Sequence, residues 1–447
     1  MTTDNNNKHI VAVIGAGPAG LYAARFMASS GVQVVLLNRD IKPGGLAEYG
    51  IYHDKYKMKE GLRNQFRQIL GMPEINYFGN VTVGLDTGLS LEELQSLGFD
   101  ALLVTVGAQG TKWLGLPGED LTGVYHAKDI VYHYNDLPPY STMDFHIGRR
   151  VAIIGVGNVM MDIAHWTIRD LKVEQVTAVA RRGPAEVKFT KKEMQNVAAN
   201  LDIEALDVEI DRVTERMHEV GQDPQTAKEL ILAGREKALE PVSDTIFNFQ
   251  FLTSPSQMIG DDQGKLIALE VEDTKLVLKD GDTKARGLGT KRILDIDTVI
   301  FCIGDRVDEN FGLPIKWNEF VKNPQPLYPV DGISYEAYDP ESEKPIEGIF
   351  VAGWSREASS GLVGIARKDG ENGARAVLEF LKSSPASEIN TNLEKLENKL
   401  NNLEQPIVTY DAIQNLEAIE RAEAAERGVE YYKMKTNHEM LSALDLI

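Results

Sequence analysis

The sequence predicts an α/β protein built from two Rossmann-like dinucleotide-binding domains, the second inserted into a discontinuous first. Three observations predict it. The glycine loop Gly15-Ala16-Gly17-Pro18-Ala19-Gly20 follows an apolar run at 11–14 and opens a helical pattern, and Gly155-Val156-Gly157-Asn158-Val159 repeats the arrangement after 151–154. A late apolar run, 348–353, ends in glycine and leads into a helical pattern at 361–381, which returns the chain to the first domain.

In each loop the first glycine permits a sharp turn and the second lets backbone approach a pyrophosphate. The free N–H groups and dipole of the following helix N-terminus favour that anion. One such loop is also an ordinary strand-turn-helix, but two in the strand-then-helix context specify two nucleotides. The second loop has a methionine where the first has its third glycine. Its assignment is strengthened by Arg181-Arg182-Gly183-Pro184, which follows the apolar run 176–180 at the end of that unit's second strand. There the fold meets the adenosine ribose, and arginine accommodates the 2′-phosphate that separates NADP from NAD. The competing reading of the pair is a solvated basic turn.

The first unit runs over 9–40. A helix is expected at 58–70, a short strand at 81–83, a helix at 91–97 and a buried strand at 101–108, whose terminal glycine suits close passage of a ligand. Residues 116–120, Leu-Pro-Gly-Glu-Asp, read as a crossover turn. The second unit begins after Arg150. A charge-rich stretch at 202–240 interrupts its sheet, strands at 246–252, 266–271 and 276–279 suggest an antiparallel insert, and a final strand runs to Ile303. The expected domains are 1–108 with 326–384, an inserted 109–325, and a helical C-terminal segment, 385–447, packed on the first.

The chain has 447 residues, room for two or three domains, and its 43% hydrophobic and 26% charged content is that of a soluble globular protein. No apolar run approaches a membrane span, and residues 1–9 carry neither a signal core nor an arginine-rich transit pattern, so a cytoplasmic protein is expected. The net charge of −20 argues against nucleic-acid or anionic-membrane binding. The single cysteine, Cys302, leaves no partner for a disulfide or redox pair and too few thiols for an iron–sulfur cluster. Lying in the apolar run 298–303, it reads as a buried structural thiol. Among the 8 histidines no nucleophilic grouping or metal-ligand pair stands out, so no catalytic side chain and no metal are expected.

The two glycine loops, Gly44-Gly45-Leu46-Ala-Glu-Tyr-Gly50, Arg181-Arg182-Gly-Pro, Phe189-Thr-Lys-Lys-Glu193, Phe251-Leu-Thr-Ser-Pro255, Gly353-Trp354 with Gly361, and the tail from Val408 to Leu441 resemble the NADPH-ferredoxin reductases of the adrenodoxin reductase type. The resemblance covers essentially the whole chain. It implies FAD in the first domain, NADP in the inserted one, hydride transfer from NADPH to the flavin, and return of single electrons to a ferredoxin- or flavodoxin-type carrier. The implied FAD contacts are Gly15, Ala16, Gly17, Pro18, Ala19, Gly20, Asn38, Leu46, Val83, Trp354, Gly361, Leu362 and Val363. The implied NADP contacts are Val156, Gly157, Asn158, Val159, Arg181, Arg182, Glu193 and Gly361. Trp354, an indole directly after a strand-end glycine, is placed to pack along an isoalloxazine ring, or else is a core tryptophan.

The chain departs from the family's pattern at several points. An acidic residue is expected after the second strand, and Asn38 stands there with Asp40 beyond it, so either Asn38 or Asp40 holds the adenosine ribose. The family's Asp-His pair becomes Asp54-Lys55, with His53 displaced by one. Its Gly-Pro-Thr-Gly becomes Ala358-Ser-Ser-Gly361. The arginine-rich run that docks an acidic ferredoxin in animal members corresponds roughly to 221–229, where only Lys228 is basic. Other basic faces are Lys188, Lys191 and Lys192, or Lys284, Arg286, Lys291 and Arg292; each also reads as solvated surface. Two further functions stay open: an NADPH dehydrogenase subunit feeding a partner enzyme or a quinone, and a non-catalytic dinucleotide sensor. A monomer is expected.

Overall fold

The computed structural model describes residues 9–279, 281–358, 361–385 and 388–447. Residues 1–8, and Ser359 and Ser360 of the altered glycine stretch, lie outside the described residues. The chain forms two compact units. The first takes the chain up to Thr111, Tyr132–Thr142 and Gly304–Ile447, and the second takes Lys112–Val131 and Met143–Ile303. The second is thus inserted into a discontinuous first.

The first unit is built on a seven-stranded sheet in the order 336–339, 344–351, 101–104, 10–14, 33–38, 75–79, 408–409. Its five inner strands are parallel and its two outer ones antiparallel. Strand Ile10–Ile14 is buried on both faces, as an unbroken Ile-Val-Ala-Val-Ile requires. Val11 and Val13 enter one apolar cluster, with Leu21, Ala374 and Val377; Ile10, Ala12 and Ile14 enter another, with Leu94, Phe311 and Leu396. Alternate residues of a strand point to opposite faces, so one short segment organises both layers. Ile14 pairs with Leu37 and Val104, so the three strands end together beside Gly15. Ligands of parallel sheets bind at such carboxyl ends.

Helices Pro18–Ala28 and Val363–Leu381 cross closely. A Cβ on Gly370 would lie 2.1 Å from the Ala19 carbonyl oxygen, which is backbone and cannot move aside cheaply. Gly370→Ala is therefore expected to destabilise the first unit by about 2 kcal/mol, the scale of core overpacking. Thermal unfolding of the variant checks this, and an unchanged melting temperature would refute the close crossing.

The second unit has a five-stranded parallel sheet in the order 124–126, 298–301, 150–154, 175–179, 246–250, and a three-stranded antiparallel sheet of 253–260, 266–279 and 282–294. Some expectations are corrected here. Strand Ile246–Gln250 belongs to the parallel sheet, and the charge-rich stretch before it forms helices Ile203–His218 and Pro224–Leu232, a crossover and no interruption. Its charges hid the buried stripe of Leu206, Ile210, Val213 and Met217. Leu266–Lys279 is one strand with an irregularity near 272–274, not two. Residues 81–83 form no strand. The third strand of the first unit is Ile75–Gly79, which takes the free edge of Gln33–Asn38 and leaves Val81 and Val83 as buried loop residues.

The expected boundaries also move. Residues 304–325, assigned to the inserted domain, pack in the first unit, where Val307, Phe311, Leu313 and Phe320 join the Ile10 cluster. Only short strands and one helical turn occur there, so no periodic pattern revealed the change. The C-terminal segment packs on the first unit through helices Ile389–Leu400, Tyr410–Glu426 and Asn437–Ala443, and it also supplies the edge strand Val408–Thr409.

A cluster of charges lies inside the first unit. Glu48 accepts both arms of Arg63 at 2.7 Å and the Lys433 ammonium at 2.6 Å. Lys42 pairs with Glu420, and Lys59 donates to the Asn135 side-chain amide oxygen at 2.5 Å. Burial, with Lys433 nearby, brings the Lys59 ammonium down to about 7 from an ordinary 10.5. Between these values the unfolded chain holds a proton that the folded one has lost, so this group makes stability rise with pH from about 7 to about 10, with its penalty complete below 7. A pKa difference of one corresponds to about 1.4 kcal/mol, and the Asn135 oxygen that loses its donor takes back about 1–3 kcal/mol. Lys59→Met is thus expected to stabilise the protein by about 2 kcal/mol at neutral pH and to flatten that slope. Denaturant titrations at several pH values check both.

Candidate functional site

Each glycine loop sits where a parallel strand gives way to a helix. Gly15 has φ +105°, and a Cβ on it would lie 2.7 Å from the Thr105 carbonyl oxygen. On Gly20 a Cβ would lie 1.9 Å from the Gly15 carbonyl. Gly17 is the contrast, since nothing lies within 4 Å of the position its Cβ would take. Gly17 is also the N-cap of helix Pro18–Ala28, extended and with no capping side chain, and Ala16 and Ala19 are buried beside it. The loop is crowded behind and open in front, with uncapped backbone N–H groups, the form of an anion cradle.

The second loop repeats this. Gly155 has φ +128° and would place a Cβ 2.4 Å from the Cys302 carbonyl oxygen, while Gly157, N-cap of helix Asn158–Arg169, again has nothing within 4 Å and no capping side chain. Met160, in the place of the third glycine, is fully buried, so this helix accepts a side chain that the first cannot. Val156 is half-buried and Val159 exposed. The Asn158 amide oxygen and one Glu193 carboxylate oxygen are buried without a hydrogen-bond partner among the described residues. Such orphaned groups are costly unless a ligand or water completes them. Cys302 is half-buried and follows strand Thr298–Phe301, a correction to its expected burial within a strand.

Arg181 and Arg182 follow strand Gln175–Val179. Their backbone is held, the Arg181 carbonyl by the Thr274 hydroxyl at 2.7 Å and the Arg182 carbonyl by the Leu252 N–H at 3.0 Å. Arg181 is exposed, Arg182 half-buried, and neither guanidinium has an ion-pair or hydrogen-bond partner among the described residues. Two unneutralised cations on a fixed turn suit an anion. Of the other basic candidates, Lys191, Lys228, Lys291 and Arg292 pair with Glu236, Asp207, Glu270 and Asp273.

Asn38 has an internal role in the structure. It is buried; its oxygen accepts the Ala16 N–H at 3.0 Å, and its NH2 donates to the carbonyls of Asp40 and Lys42 at 2.8 and 3.1 Å. It braces the first glycine loop against the turn after Gln33–Asn38. Asp40 is paired with Arg39 at 3.1 Å. The Gly44 N–H bonds the Ala16 carbonyl at 2.7 Å, and Leu46 opens a short helix, Leu46–Tyr49, half-buried. His53 is exposed and lies against the Tyr52 ring at 4.4 Å.

Trp354 lies half-buried in the turn Gly353–Ser355, directly after strand Lys344–Val351. Asp369 of helix Val363–Leu381 holds that turn: it accepts the Gly353 N–H at 2.6 Å, the Tyr335 hydroxyl at 3.0 Å and the Arg356 guanidinium at 2.7 Å. The Ser355 hydroxyl accepts the Gly107 N–H at 2.9 Å, tying the turn to the loop after strand Ala101–Val104, which ends short of the expected 101–108. Gly361 and Leu362 are exposed and Val363 half-buried at the N-terminus of the same helix, which has no capping side chain. Thr105, whose hydroxyl donates to the Gly15 carbonyl at 2.8 Å, Asp369 and Ser355 stand in no recognisable motif of the sequence.

Two uncapped, glycine-fronted helix N-termini on two parallel sheets define a protein of the two-dinucleotide class. The chain belongs to the pyridine nucleotide-disulphide oxidoreductase family, whose pattern matches residues 9–240. It is 26% identical to the mitochondrial NADPH:adrenodoxin oxidoreductase of Arabidopsis thaliana, over 97% of this chain and 95% of that protein. It is 28% identical to the NADPH-ferredoxin reductase FprA of Mycobacterium leprae, over 97% and 98%. The solved structure of FprA from Mycobacterium tuberculosis superposes with a TM-score of 0.80 at 24% identity, covering 98% of this chain and 99% of that one, so the two share a fold.

Proposed function

We propose that this protein is an NADPH-dependent flavoprotein reductase that passes electrons from NADPH through FAD to a ferredoxin- or flavodoxin-type carrier, acting as a cytoplasmic monomer. The observation that carries the reading is the pair of open cradles at Gly17 and Gly157, each at a helix N-terminus with no capping side chain. The names of the relatives, NADPH-ferredoxin reductase and NADPH:adrenodoxin oxidoreductase, support the same direction of flow.

The residues fit both groups. In the first unit, Gly15 to Gly20 receive the FAD pyrophosphate, with Leu46, Val83, Trp354 and Gly361 to Val363 as further contacts. In the second, residues 156–159 receive the NADP pyrophosphate, Arg181 and Arg182 the 2′-phosphate, and Glu193 completes the set. FAD held there would supply the coupling of a two-electron hydride donor to a one-electron carrier, which a nicotinamide alone does not offer. The chain's own part is placement. Asn38 and Gly44 fix the first loop, Asp369 fixes the turn that carries Trp354, and the two arginines select the phosphorylated nucleotide. No nucleophile or metal enters this scheme, and among the described residues no cluster suited to a metal occurs.

The test is reconstitution with FAD followed by anaerobic titration with NADPH. About one flavin per chain, bleaching with NADPH, and recovery of the flavin spectrum on adding oxidised ferredoxin or flavodoxin is the expected result. Uptake of both nucleotides without bleaching would instead identify a sensor, and bleaching with recovery only by a quinone would identify a dehydrogenase.

A further inference from the structure

The buried charges of the first unit lie directly behind its nucleotide loop. Gly44 bonds Ala16, and a Cβ on Gly45 would lie 3.0 Å from the Gly17 Cα, so segment 42–49 rests on the glycine loop. Two of its residues are held from the far end of the chain. Lys42 pairs with Glu420 of helix Tyr410–Glu426, and Glu48 with Lys433, both pairs buried. Lys433 also donates to the Asn135 carbonyl at 3.0 Å and lies 4.3 Å from the centre of the Tyr49 ring. The two tail anchors are themselves joined, since Glu420 accepts the Met434 N–H at 3.0 Å.

A loop that must approach a pyrophosphate needs a fixed backbone, and segment 42–49 has only the four-residue helix Leu46–Tyr49 to stiffen it. Buried, charge-assisted bonds supply direction that apolar packing does not. Burial alone would raise the Glu48 carboxyl, and Lys433 and Arg63 together hold it well below the ordinary carboxylate range, so it stays an anion and keeps both partners. Glu48 retains Arg63 if Lys433 is removed, so the fold survives that loss while one tether goes.

We propose that Lys433 and Glu420 are positioning residues for the flavin: the C-terminal segment clamps loop 42–49 against Gly15–Gly20 and thereby sets the affinity for FAD. This rests on the assignment of FAD to the first unit. The clamp acts through Glu48 and Lys42, and no tail residue need touch the flavin.

The test measures FAD binding to apoprotein by quenching of flavin fluorescence, beside the far-UV spectrum and NADP+ binding as controls. Lys433→Met is expected to weaken FAD binding about tenfold, the loss of one charge-assisted bond, with secondary structure and NADP+ affinity unchanged. Lys433→Arg is expected to restore most of it. Wild-type affinity in Lys433→Met overturns the clamp, as does equal weakening of FAD and NADP+ binding. If that variant does not fold, Glu420→Gln carries the same test, and an unchanged FAD affinity overturns the proposal. A wild-type apoprotein that takes up no FAD overturns the flavin assignment and the clamp together.

Discussion

Replacing Arg181 and Arg182 together by Ala is expected to lower the ratio of NADPH to NADH efficiency by about 10²- to 10⁴-fold. Each hydrogen bond to a charged group contributes about 1.5–3 kcal/mol, and about 1.4 kcal/mol is tenfold. Neither guanidinium has a protein partner among the described residues, so little is lost from the fold when both go. The change falls on the KM for NADPH, because the contact is remote from the nicotinamide and binds ground and transition states alike. NADH kinetics and the flavin spectrum should hold. Steady-state kinetics with both nucleotides decide it, and an unchanged preference would leave the pair as a solvated turn.

Asp369→Ala is expected to cost about 2–3 kcal/mol of stability, the scale of leaving buried donors without their acceptor, since Arg356 keeps Glu357 at 3.1 Å. Arg356 and Asp369 are 12% and 13% exposed, and the substitution leaves that guanidinium, the Gly353 N–H and the Tyr335 hydroxyl without their shared acceptor. The turn that carries Trp354 loosens, so flavin affinity falls with stability. Asp369→Asn keeps an acceptor oxygen and should lose less of both. Denaturant unfolding and FAD titration of the two variants check the order; equal stability of Asp369→Ala and wild type would show that the turn is held by packing alone.

The sequence by itself determined the two glycine loops, their strand-loop-helix setting, the insertion of one α/β unit into another, and the place of the arginine pair after the second strand. Those signals are local. A glycine at a sharp turn, an apolar run long enough for a strand and a helix period are properties of ten or twenty neighbouring residues, and they read the same in any surroundings. Other features were decided only by the tertiary structure. The bracing of the first glycine loop by Asn38 arises because the Ala16 N–H and two carbonyls surround that side chain once the loops pack. Strand Ile75–Gly79 exists because Gln33–Asn38 leaves an edge for it, while 81–83, equally apolar, has none. Asp369 and Gly353 are sixteen residues apart, and Lys433 and Glu48 nearly four hundred, and nothing near either residue of a pair names the other. Their pairing depends on where the sheet brings chain ends together, and an isolated acid or lysine gives no sign of which buried partner it will meet.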